Sequence, residues 1–161
     1  MVAQSKLWGR VHRAISLVLT VVWVGAGATK LAGLEAFRGV LETHDVLPYG
    51  LIEQAWVVPA VEIVLGVAVF VGAGRPVRVS LLRGAVVGSA ALLLGFCAYV
   101  TQVDAEVFKA AGCGCTGAWG LTDSVGSPTR GGVLAVDLTL LAMSLAMLWA
   151  PTGRSKIATP K

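Results

Sequence analysis

Apolar residues fall into four long blocks along the chain. The first runs from about Ala14 to Gly33 and is broken only by Lys30 near its end. The second covers about Ala55 to Gly74 with one acid, Glu62, and the third, Gly84 to Val103, is uncharged. The fourth runs from Gly131 to Ala150 and holds Asp137. Each is near the length of about 20 residues that a helix needs to cross a bilayer. The pattern predicts an all-α, membrane-embedded four-helix bundle. Residues 1–152 form its transmembrane domain, and residues 153–161 form a polar, disordered tail.

The connections are unequal. A short basic loop with Arg75, Pro76, Arg78 and Arg83 joins the second and third blocks. In the first long loop, Leu34, Phe37 and Leu41 recur at helical spacing, with Glu35, Arg38 and Glu42 between them. That pattern predicts an amphipathic helix lying in the membrane interface. His44, beyond it, reads as a solvated loop histidine with acid–base chemistry as the alternative.

Composition agrees with the pattern. The 161 residues are 56% hydrophobic and 14% charged, with a mean hydropathy of +0.79. A soluble core of this size could not cover that much apolar surface. The net charge of +4 is not arranged as a basic stripe interleaved with aromatics, which argues against a nucleic-acid partner. Charge placement does set an orientation. Nine of the thirteen Lys and Arg residues fall before the first block, between the second and third, or after the fourth. Both termini are therefore expected in the cytoplasm. A basic start followed by an apolar run and Gly25-Ala26-Gly27-Ala28 also describes a secretory signal peptide, but the run is long and three further blocks follow it.

Two acids in apolar blocks call for partners, because charge in hydrocarbon is costly. Glu62 and Asp137 both fall roughly 10 Å below the outer end of their helices. Ser16, Thr20, Trp23, Gly27 and Lys30 form one polar, small-residue helix face, from which Lys30 would pair with Glu62 or Asp137 or snorkel outward. Pro59, one turn before Glu62, is expected to free the Ala55 carbonyl and kink its helix. The layer reads either as a packing cluster or as a site for proton handling or ligand contact.

The remaining candidate chemistry is Cys113-Gly114-Cys115 in the second long loop, on the predicted outer side. A bridge between cysteines this close needs a bend, which Gly114 and its neighbours Gly112 and Gly117 permit. A ring so small is strained, and strained disulfides exchange readily. The rival readings are a structural loop disulfide and half of a zinc site; the chain has no second cysteine pair, and no metal set is assigned. In the third block, Gly84, Gly88, Ala91 and Gly95 line one close-packing stripe. Cys97 points away from it and reads as an apolar filler.

Taken in order, Gly25-Ala26-Gly27-Ala28-Thr29-Lys30-Leu31, Leu47-Pro48, Ala55-Trp56-Val57-Val58-Pro59-Ala60-Val61-Glu62 with Gly66, and Cys113-Gly114-Cys115 resemble the methylamine utilisation MauE family. That family is related to the DoxX-like membrane proteins. The resemblance spans about residues 10 to 150 and implies a four-helix protein of the bacterial cytoplasmic membrane. It also implies a role in maturing periplasmic methylamine dehydrogenase, whose small subunit is rich in disulfides. Thr116, where the family commonly has an aromatic, and Gly131 after Arg130, where it often has Asn, are departures that bear on the client.

The expected function is thiol–disulfide exchange through Cys113 and Cys115 with an extracytoplasmic client or a thioredoxin-like protein. Quinone is the cofactor that a DoxX-like, quinone-linked alternative would use, resting on Glu62, Asp137 and Lys30. A non-enzymatic assembly factor is the third reading.

Overall fold

The computed structural model describes residues 2–73, 79–111 and 129–149, which form seven helices and no strand among the described residues. These are α1 (Val2–Ala32), α2 (Leu34–His44), α3 (Tyr49–Glu53), α4 (Val57–Ala73), α5 (Val79–Gln102), α6 (Ala105–Ala111) and α7 (Arg130–Trp149). Stretches of α1, α5 and α7 (Gly9–Ala32, Ser80–Gln102 and Arg130–Leu148) are long and apolar enough to cross a membrane. The fourth apolar helix, α4, is shorter, at 17 residues.

The four apolar helices pack in a ring, α1 on α4, α4 on α5, α5 on α7 and α7 back on α1. Neighbours in the chain run antiparallel, so α1 and α5 are parallel. Leu19, Trp23, Val69, Ala85, Val86, Leu93 and Met147 from all four helices fill the centre. Their outer faces remain apolar: Val21, Val64, Phe70, Val87, Leu94, Val136 and Leu138 are all exposed. So continuous an apolar exterior implies contact with a lipid bilayer.

Glycine sets the tightest contact. A Cβ on Gly27 of α1 would lie 2.6 Å from the Pro59 carbonyl oxygen and 2.7 Å from Ile63 Cγ1. Gly66 of α4 is closed in the same way by Trp23 and Val24. The backbones of α1 and α4 therefore meet closely, and Thr20 Oγ1 donates to the Gly66 carbonyl at 3.3 Å. The small-residue stripe expected on α5 packs differently. Gly88 meets Leu65 of α4, but Gly84, Ala91 and Gly95 face outward, and a Cβ on either of those two glycines would touch nothing within 4 Å. The α4–α5 contact instead uses Gly72 against Leu82.

Pro59 also differs from expectation. α4 begins at Val57, so Pro59 stands in its first turn, where proline is tolerated and no earlier turn of α4 exists to kink. The Ala55 carbonyl is not freed, because it accepts the Val58 N–H at 3.3 Å.

At one end of the ring, α2, α3 and α6 form a cap. Phe37 and Leu41 of α2 pack with Ile52 and Ala55, so the amphipathic face expected to rest on lipid is covered by protein. Asp45 ends α2 in the left-handed region at φ 51°, which the short Asp side chain tolerates. Arg38 ties α2 to α3 by donating to Glu35 at 2.9 Å and to the Glu53 carbonyl at 3.0 Å. Asp104 caps α6 by accepting the Glu106 N–H at 2.8 Å. Below α6, Phe108, Val100, Val103 and Val133 form a second cluster that binds the cap to α5 and α7.

Gly27→Ala is expected to destabilise the protein by about 1–3 kcal/mol through overpacking against backbone. Gly84→Ala should leave stability unchanged. Thermal unfolding of both variants in detergent checks the pair, and equal melting temperatures would contradict the packing described.

Candidate functional site

Lys30 and Glu62 meet inside the bundle, just under the cap. The ammonium of Lys30, on the last turn of α1, bonds Glu62 Oε1 from α4. Their side chains are 3% and 0% exposed, so neither charge reaches solvent. The close approach at Gly27 makes the bond possible, since Gly27 lies one turn before Lys30 and would press on Glu62 Cβ at 3.2 Å if it carried a side chain. Two aromatic rings complete the surroundings of the cation. Lys30 Nζ lies 5.1 Å from the Phe96 ring centre and 5.8 Å from that of Phe37, both within cation–π range. Helices α1, α2, α4 and α5 thus converge on one ammonium group.

Between the two partners that the sequence left open for Lys30, the structure selects Glu62. Asp137 of α7 is half-buried and lies within electrostatic range of Cys97 of α5. Cys97 itself is a half-buried free thiol. The Lys30–Glu62 part of the expected polar layer is brought together. Pro59 and Gly27 are its structural supports, each buried at the α1–α4 contact.

His44 is the clearest departure. It is 5% exposed, not solvated. Its Nδ1 lies 2.6 Å from the Tyr99 hydroxyl, and its ring stacks on Phe108 with centroids 6.1 Å apart. One histidine therefore links the end of α2 to α5 and to α6. An apolar block offers no period-based reason to single out Tyr99 or Phe96. The usable signal was the aromatic character of both near the end of a span, where tyrosine is enriched.

Cys113, Gly114 and Cys115 lie outside the described residues. The described residues on either side are placed: α6 ends at Ala111, and the chain resumes at Thr129 and enters α7. Thr129 Oγ1 accepts the Gly132 N–H at 3.1 Å. The Arg130 guanidinium donates to the Thr101 carbonyl at the end of α5. Lys109 is exposed on α6. Among the described residues no group of three or more metal-ligating side chains occurs.

Removing one partner of a buried ion pair leaves an uncompensated charge, which costs about 3–5 kcal/mol. Lys30→Met is therefore expected to destabilise the protein by that amount. Adding Glu62→Leu to Lys30→Met should restore much of the loss. Unfolding of the single and double variants by denaturant measures this, and a double variant no better than the single would contradict it.

Comparison with curated proteins and with solved structures found no match. The family model described as methylamine utilisation protein MauE matches residues 9–150, a stretch that includes all four apolar helices, the ion pair and the cysteine pair. This multi-pass membrane chain belongs to the MauE family, which is linked to methylamine utilisation.

Proposed function

We propose that this protein is a redox-associated component of the bacterial cytoplasmic membrane that exchanges disulfides through Cys113 and Cys115 and supports maturation of extracytoplasmic proteins. The observation that carries this reading is where the neighbouring chain is held. Ala111 and Thr129, the described residues that border the cysteine segment, stand at the capped end of the bundle beside the cluster of Phe108, Val103 and Val133. Nine of the thirteen basic residues flank the opposite end in the sequence, which favours a cytoplasmic position for both termini and an oxidising compartment for the cap. Exposed Tyr49 and Trp56 at the cap suit the headgroup level, with α2 and α3 in the interface.

In the proposed cycle a client thiolate attacks one sulfur of the oxidised Cys113–Cys115 pair, and the other sulfur leaves as a thiolate. A second client thiolate then resolves the mixed disulfide. The client gains one disulfide and the pair is left reduced. A thioredoxin-like partner disulfide or a quinone accepts the two electrons and regenerates it. The family's link to methylamine utilisation makes a methylamine dehydrogenase-type protein the first client to test.

A second reading is supported by the Lys30–Glu62 pair between Phe37 and Phe96. A buried ion pair held by aromatic rings would suit a subunit of a quinone-linked oxidoreductase. Cysteine substitution separates the two. Under the first reading, Cys113→Ser and Cys115→Ser abolish client disulfide formation while the protein still accumulates in membranes. Under the second, or for a non-enzymatic assembly factor, both variants retain function. Alkylation with a mass tag before and after reduction is expected to show the pair oxidised in membranes. A pair fully reduced in every condition overturns the exchange reading.

A further inference from the structure

Four buried polar atoms at the centre of the bundle have no hydrogen-bond partner among the described residues: Glu62 Oε2, Trp23 Nε1, Ser89 Oγ and Ser144 Oγ. Their residues are 0%, 3%, 0% and 0% exposed, and they come from α4, α1, α5 and α7 respectively. One such atom is a local accident of packing. Four, one from each helix of the ring, call for a common cause, since buried polar groups in native proteins are nearly always satisfied.

Helix register brings them to one level. Helices α1 and α5 run parallel, and Lys30 Nζ meets Phe96. Trp23 precedes Lys30 by seven residues and Ser89 precedes Phe96 by the same number, so Trp23 and Ser89 share a depth. Helix α4 is antiparallel to α5, with Leu65 against Gly88. That pairing sets Glu62 only about 3 Å nearer the cap than Ser89. On α7, also antiparallel to α5, Arg130 donates to the Thr101 carbonyl; Ser144 lies fourteen residues beyond Arg130 and Ser89 twelve before Thr101, which sets the two serines within about 3 Å of one level. Orientation agrees with depth. Ser89 lies on the buried face that carries Val86 and Leu93, and Ser144 lies one turn before Met147. Those three apolar residues and Trp23 belong to a single core cluster, so both serines face the same interior as the indole.

The chemistry of the four atoms is complementary to one kind of ligand. The Trp23 indole N–H only donates, the Glu62 carboxylate held by Lys30 only accepts, and the two hydroxyls do both. The smallest molecule able to accept from Trp23 and donate to Glu62 is water, which typically makes about three hydrogen bonds when buried. We propose that Glu62, Trp23, Ser89 and Ser144 form an internal water-binding site near the middle of the bilayer, continuous with the Lys30–Glu62 pair. Ser89 is ten residues from the start of α5 and thirteen from its end, so the site lies roughly 15–20 Å from either end of that helix. Water here is a bound ligand of fixed stoichiometry.

The test uses the full-length protein in lipid nanodiscs. An experimental density map that resolves ordered solvent is expected to show water within hydrogen-bond distance of two or more of the four atoms. Contact of all four with protein carbon, or an acyl chain or other organic molecule in their midst, overturns the assignment. A second measurement does not depend on a map. The infrared difference between wild type and Ser89→Val/Ser144→Val should contain an O–H stretching band that shifts in H2-18O, because only water carries the exchanged oxygen. No isotope-sensitive difference, with the variant folded by circular dichroism, also overturns the proposal. If the double variant fails to fold, the wild-type map decides.

Discussion

The Lys30–Glu62 pair is the constraint around which the other parts of the bundle are arranged. Two charges withdrawn from water carry a desolvation cost of several kcal/mol each, which their attraction offsets only when the geometry is good. Good geometry here requires α1 and α4 to approach until Gly27 meets the Pro59 carbonyl. It requires Phe96 from α5 and Phe37 from α2 at the faces of the cation. It also requires a cap that keeps bulk solvent from both groups. Each requirement falls on a different helix, so the pair fixes how four helices are positioned relative to one another. Hydrophobic packing alone would not choose one rotation of an apolar helix over another within lipid.

Much of this was legible in the chain. The four apolar blocks gave the ring of helices, because about 20 apolar residues have few other uses. The helical spacing of Ser16, Trp23, Gly27 and Lys30 gave the buried face of α1, since polar and small residues in a span turn away from lipid. Glu62 stood out for the same reason. Which acid Lys30 would choose was not legible, because that depends on the rotation of α7, and rotation leaves little trace in a helix apolar on every side. The stripe of Gly84, Ala91 and Gly95 misled for a related reason. Small residues permit a close approach without requiring one, and on α5 they face outward.

His44 shows a different limit. Its neighbours in sequence, Asp45 and Pro48, are turn formers, and a histidine among them reads as solvent-facing. Burial came from residues far along the chain, Tyr99 and Phe108, which one another's company does not announce. Ser89 and Ser144 were likewise easy to pass over, since serine is common in membrane helices. Their meaning emerges only when the four helices are set side by side at one depth. The cysteine pair is the reverse case: conspicuous as a sequence motif, it lies between described residues whose own anchoring, by Phe108 below α6 and by Arg130 on the Thr101 carbonyl, was not foreseeable.

The unequal lengths of the helices make α1 a depth gauge. α4 reaches only about 25 Å along its axis and α1 about 46 Å, so α1 extends well past its partner at the uncapped end, where Arg10, Val11, Arg13 and Ala14 are exposed. Arginine at that position favours snorkelling to the headgroups of the leaflet. Counting along α1 from Arg13, Lys30 then lies about 26 Å deeper, across most of a hydrocarbon core about 30 Å thick. A thicker membrane would draw the ion pair further into oil and a thinner one would lift its cap into water. The depth of the ion pair beneath the capped surface therefore follows bilayer thickness, with the basic stem of α1 as the fixed end of the scale.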